Sequence, residues 1–155
     1  MNKPLTIGDF CPIFSLQDQK GDTISIQDHI GQHVLVIFFY PKDDTRGCTM
    51  EACAFRDQYE TFQEHGAKVI GISSDSVTSH DRFANKYRLP YTLLADTKKE
   101  VRNAFGVPGN LFGLIPGRVT YIIDLKGIIQ GVYNSQTDPT GHISKALECI
   151  RSITV

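Results

Sequence analysis

Val34-Leu35-Val36-Ile37-Phe38-Phe39-Tyr40-Pro41-Lys42-Asp43-Asp44-Thr45-Arg46-Gly47-Cys48-Thr49-Met50-Glu51-Ala52-Cys53 reads as a buried strand running into a helix. Residues 34–40 form an unbroken apolar run rich in β-branched and aromatic side chains, the pattern of a central parallel strand covered on both faces. Pro41 ends it, having no N–H to give a ladder. From Thr45 the period changes. Cys48, Ala52, Phe55, Tyr59 and Phe62 recur at steps of four, three, four and three, which predicts one amphipathic helix stopped by Gly66.

Cys48 therefore falls in the first turn of a helix, with Thr45 as its N-cap. First-turn N–H groups have no intrahelical partner and carry the positive end of the helix dipole. An anion is favoured there, which would make the sulfur a nucleophile near neutral pH. The same position also suits a small apolar side chain filling the stripe, and position alone does not separate the two.

Around this unit the chain alternates strands and helices. Residues 5–30 predict an N-terminal β-hairpin, with strands at Ile13–Leu16 and Thr23–Ile26 about a Gly21-Asp22 turn. Ala67–Ile72 is a second buried strand. Ser73–Ser76 offers N-caps for a helix carrying Val77, His80, Phe83, Ala84 and Tyr87, which ends before Pro90. Tyr91–Ala95 is a short strand and Thr97–Phe105 a short helix. Arg118–Asp124 pairs through a Leu125-Lys126-Gly127 turn with Ile128–Tyr133, and His142–Ile153 closes as a helix. The order implies a three-layer α/β fold around a mixed sheet. Residues 106–117 hold four glycines and two prolines yet several large apolar side chains; an irregular segment packed on its own domain is expected.

The chain has 155 residues, 16 basic and 17 acidic, enough for one domain, 1–155, with a full core. Its near-neutral balance, without blocks of like charge, gives no footprint for a nucleic-acid partner. No apolar run approaches a membrane span, and the N-terminus lacks an apolar signal core, so a soluble cytoplasmic protein is expected. The four cysteines suit redox use better than structural disulfides, which a reducing compartment would not keep. Cys48 and Cys53 have no Cys or His pair at zinc-finger spacing to match them, so no metal or cofactor is expected. Cys11, Cys149 and His80 read as packing residues, and Arg118 alone reads as an ordinary surface ion-pair partner.

Pro41-x-x-x-Thr45-x-x-Cys48 resembles the signature of the peroxiredoxins, thiol peroxidases on a thioredoxin-like fold. Gly47-Cys48-Thr49-Met50-Glu51-Ala52-Cys53, with a second cysteine five residues on, is similar to the peroxiredoxin Q (bacterioferritin comigratory protein) group. Gly8-Asp9-Phe10, Pro12-Ile13-Phe14, Phe39-Tyr40-Pro41-Lys42-Asp43 and Gly117-Arg118-Val119-Thr120-Tyr121 extend the likeness along the chain. It departs from the pattern at Arg46, where the group often has proline, and at Cys11, where a small residue is usual.

The resemblance implies a peroxidatic Cys48 and a resolving Cys53, with Pro41, Thr45 and Arg118 completing the peroxide site. Gly47 and Cys48 would offer backbone donors. It implies hydrogen peroxide or organic hydroperoxides as substrate and thioredoxin or a glutaredoxin-type protein as reductant. The group contains monomers and dimers; a monomer is expected here. Glu51 would either hold an arginine or serve as a first-turn carboxylate. Residues five apart on a helix have Cα atoms about 8.6 Å apart, beyond the ~4.4–6.8 Å a disulfide tolerates, so the helix would have to open before Cys48 and Cys53 could bond. A thioredoxin-like reductase is a rival reading, but it needs Cys-x-x-Cys. A non-catalytic redox sensor or scaffold, whose Cys48–Cys53 switch alters a partner surface, is another, favoured only by the apolar 106–117 loop.

Overall fold

The computed structural model describes residues 3–109 and 117–153. In chain order it contains β1 (Ser15–Asp18), β2 (Thr23–Ser25), a single 3-10 turn (Ile26–Asp28), β3 (Val34–Phe39), α1 (Arg46–Asp57), α2 (Tyr59–Glu64) and β4 (Ala67–Ser73). There follow α3 (Val77–Tyr87), β5 (Thr92–Ala95), α4 (Glu100–Phe105), β6 (Val119–Ile123), β7 (Ile129–Asn134) and α5 (Gly141–Ile153). The strands form one seven-stranded sheet in the order β2-β1-β5-β4-β3-β6-β7. β3 lies parallel to β4 and antiparallel to β6, so the sheet is mixed.

Every residue of β3 is buried, because helices cover both faces of the sheet. Val34, Val36, Phe38 and Tyr40 face one core, shared with Cys48, Ala52, Phe55 and Phe62, with Phe83 of α3, and with Ile143 and Ile150 of α5. The alternate residues Leu35, Ile37 and Phe39 face the other, with Cys11, Val101 and Phe105. The strand's period of two thus divides the molecule into the three expected layers. Gly71 of β4 faces the first core, where an added methyl would stand 2.8 Å from Phe38 and 2.9 Å from Leu93.

Two helices differ locally from expectation. The predicted single helix over 45–65 is two: Gln58 leaves helical geometry at φ −105, ψ 7, yet Phe55 and Phe62 stay buried, so the apolar stripe crosses the break unchanged. α4 starts three residues late because the Asp96 carboxylate caps the N–H groups of Val101 and Arg102, while Lys99 sits at φ +60. The expected N-terminal hairpin is present as β1 and β2, and β1 also pairs with β5, joining it to the sheet. Most of the expected irregular loop lies outside the described residues, and of its described part Val107 is buried. No helix among the described residues is long and apolar enough to cross a membrane.

Candidate active site

The turn between β3 and α1 is anchored on both sides. Asp43 accepts hydrogen bonds from Tyr40 Oη at 2.6 Å and Ser79 Oγ at 2.8 Å, and His80 Nδ1 lies 2.7 Å away. The backbone N–H of Asp43 donates to Asp75 Oδ2 at 2.8 Å. Asp44, at φ +58, accepts from Lys86 and from Tyr87 Oη. α3 thereby clamps the loop that delivers Cys48. His80 is the packed, hydrogen-bonded histidine expected, its Nε2 donating to the Leu94 carbonyl at 2.9 Å.

Thr45 occupies the N-cap position, but its side chain makes no cap. Its hydroxyl donates instead to the Lys42 carbonyl at 2.9 Å. This corrects the expected cap in a useful way. Among the described residues the first-turn N–H groups have no side-chain acceptor, and Thr45 Oγ1, its proton committed, offers only lone pairs. Cys48 is the third residue of α1 and is 1% exposed. Pro41, half-buried, ends β3, while Arg46 is exposed and does not turn inward.

Arg118 is no surface residue. It is buried just ahead of β6 and donates from Nη1 to Glu51 Oε1 at 2.8 Å, a pair with almost no solvent contact. A methyl on Gly47 would stand 3.0 Å from Arg118 Nη2, so glycine lets the guanidinium lie against the helix start. Burial alone would weaken the guanidinium's basicity, but Glu51, which accepts its hydrogen bond, and the neighbouring Cys48 sulfur hold it above its ordinary range. Arginine, helix start and Cys48 sulfur are therefore one cluster.

Glu51 and His142 reach the cluster from α1 and α5, and both are fully buried. Burial pushes the Glu51 carboxyl up to about 8, outweighing the pull of Arg118. Burial and the nearby Arg118 charge push His142 down to about 4, against its hydrogen bond to Ser135. Of the two roles open to Glu51, the structure places it on the arginine. His142 was not singled out in the sequence, although it lies on the stripe of Ala146 and Ile150 at steps of four, where a polar residue is a signal.

Cys53 lies on the same helix, half-buried, and both thiols are free. Burial raises the Cys53 thiol, with Arg56 and Asp57 acting in opposite directions. Cys11 is buried beneath the sheet and pushed up to about 12 by its surroundings. Cys149 packs so closely on β7 that a methyl at Gly131 would meet its sulfur at 2.7 Å.

The family model for AhpC/TSA matches residues 7–132. The chain belongs to the AhpC/TSA family. Within it the likeness is to peroxiredoxin Q: the chloroplastic peroxiredoxin Q of Populus jackii is 50% identical over 146 residues, 94% of this chain and 68% of that one. The crystal structure of Mycobacterium tuberculosis peroxidoxin BcpB superposes with a TM-score of 0.89 at 36% identity, covering 96% of this chain and 98% of that one. Xanthomonas campestris peroxiredoxin Q superposes at 0.84 and 31% identity, covering 92% of each chain. The thioredoxin-like peroxiredoxin fold and the thiol peroxidase class are therefore those of this chain.

One expectation is overturned. The plant relatives at about 50% identity, from Populus jackii, Triticum aestivum and Sedum lineare, are all named chloroplastic, and the cytoplasmic expectation does not stand against them. The cytoplasmic reading rested on the lack of an apolar signal core. Transit peptides are amphipathic and rich in Ser and Arg, so that criterion is blind to them.

Proposed function

We propose that Cys48 is the peroxidatic cysteine and Cys53 the resolving one of a peroxiredoxin domain spanning residues 1–155. The observation that carries this is the buried Cys48 sulfur in the first turn of α1, engaged by an arginine that Glu51 holds in place. Cys48 thiolate attacks the nearer peroxide oxygen. An S–O bond forms as the O–O bond breaks, and the leaving hydroxide or alkoxide takes a proton to depart as water or alcohol. Charge moves from sulfur to the leaving oxygen during the step. Preorganised donors aimed at that charge, the Arg118 fork and the uncapped N–H groups of Gly47 and Cys48, lower the barrier without reorganising. Thr45 Oγ1 accepts the peroxide O–H and so orients the molecule. Pro41 keeps bulk water from the sulfur.

Cys53 then attacks the Cys48 sulfenic acid, forming the disulfide and releasing water. Its raised thiol and its place on the intact helix keep it idle until α1 opens. A thioredoxin or glutaredoxin-type dithiol reduces the disulfide by exchange. Hydrogen peroxide and organic hydroperoxides both fit this chemistry, and a solved relative from Xanthomonas campestris is described by its alkyl peroxide reduction activity. The enzyme works as a monomer in this reading.

The test is peroxide consumption coupled to thioredoxin and its reductase. Cys48→Ser should abolish it. Cys53→Ser should consume one equivalent and then stop; full thioredoxin-driven turnover in that variant would disqualify Cys53.

A further inference from the structure

We propose that Glu51 and His142 hold one proton between them, so that the pair carries no net charge and Arg118 keeps its full positive charge for Cys48 and the peroxide. The inference rests on the reading of Cys48 as the peroxidatic cysteine and adds the device that sets its electrostatics.

The hydrogen-bond geometry favours the proton. His142 Nε2 lies 2.8 Å from the Ser135 carbonyl oxygen, which can only accept, so Nε2 carries a hydrogen. In a neutral ring Nδ1 is then a bare lone pair, taking the Thr120 hydroxyl at 2.7 Å. Glu51 Oε1 accepts from Arg118. Glu51 Oε2 is buried with no hydrogen-bond partner among the described residues, and it stands 3.5 Å from His142 Nδ1. With the Nδ1 lone pair taken by Thr120, a neutral ring has no hydrogen to give Oε2, and an ionised carboxylate there would be left without a donor in a site closed to water, which is costly. One proton on the pair removes that cost, either on Oε2 itself or on Nδ1, whose hydrogen would then lie between Thr120 Oγ1 and Oε2.

The surroundings place it on the acid. Arg118 faces Glu51 from the start of β6 and Tyr91 from ahead of β5, while Cys48 lies on its own helix. His142 is faced by Arg118, by Asp138 and by the ring of Tyr133, whose centroid is 4.6 Å away. The balance of burial and charge raises Glu51 and lowers His142, so at neutral pH Glu51 is a carboxylic acid and His142 a neutral ring. Ionising Glu51 in alkali would put a full negative charge on Arg118 and withdraw it from the sulfur.

Two measurements test this on the full chain. In the infrared spectrum of the reduced protein, a protonated-carboxyl C=O stretch should persist at neutral pH, vanish with a midpoint near pH 8 and be missing from Glu51→Gln. Glutamine keeps the acceptor for Arg118 but cannot ionise. The ratio of single-turnover Cys48 oxidation rates, Glu51→Gln over wild type, should therefore rise about tenfold as pH is raised from about 7 to about 9.5. A ratio that does not change with pH, or a wild-type spectrum without that stretch at neutral pH, overturns the proposal. Peroxide consumption by Cys48→Ser would instead overturn the reading beneath it.

Discussion

One equivalent of hydrogen peroxide added to the reduced protein should unwind the first two turns of α1. Cys48 and Cys53 both sit within α1, a regular helix over Arg46–Asp57, where ideal geometry puts their Cα atoms about 8.6 Å apart. A disulfide requires about 4.4–6.8 Å, so at least ~2 Å must come from the backbone. Phe55 marks where the opening stops, since it is wholly buried and stacks on Phe38 with centroids 4.5 Å apart. The five α-helices among the described residues have 12, 6, 11, 6 and 13 residues, so losing two turns should remove about a sixth of the helical ellipticity. The amides of residues 50–57, which donate to the carbonyls of 46–53 in a regular helix, should lose hydrogen-exchange protection together. Opening also breaks the bond from Tyr91 Oη to the Ala52 carbonyl, 2.6 Å long and buried. A buried hydrogen bond is worth about 1 kcal/mol net, so Tyr91→Phe should speed disulfide formation about fivefold. Mass spectrometry confirms the Cys48–Cys53 disulfide and circular dichroism and exchange report the helix. A fully formed disulfide with unchanged ellipticity and undiminished protection at 50–57 would refute the reasoning.

Arg118→Lys should slow single-turnover Cys48 oxidation by about 10- to 100-fold, because a lysine cannot serve Glu51 and the sulfur with one planar fork; a rate within twofold of wild type counts against the arginine. Gly71→Ala should cost about 1–3 kcal/mol in urea unfolding, since the new methyl meets Phe38 and Leu93 at under 3 Å from opposite sides. His142 fixes the sign of an acid effect. Its folded value of about 4 lies below the unfolded 6.5, so the unfolded chain binds the extra proton, and this contribution to stability is present above about 6.5 and lost as pH falls toward 4. Urea midpoints measured down that range should decline in wild type and decline less in His142→Asn; parallel slopes would assign the effect elsewhere.

Local chemistry was readable where a short stretch contains its own cause. The buried run of β3, the proline that ends it and the stripe that turns Cys48 inward are each set by residues within one turn or one strand. The break at Gln58 left no mark, because no proline or glycine stands there and the apolar period runs through it. Asp96 delayed α4 through carboxylate bonds to two backbone N–H groups five and six residues on, a competition that period and propensity do not register.

What the sequence determined by itself was the order of elements, the placing of one sulfur at a helix start and a second beyond disulfide reach on the same helix, since these follow from local periods and fixed helical rise. What the tertiary structure decided was the electrical setting of that sulfur. Arg118 and Glu51 are 67 residues apart, and His142 comes from the last helix; packing the sheet and helices brings all three together. Burying them there turns a glutamate that could have been a surface carboxylate into an acid held beside an arginine, because charge is costly only where water has been removed.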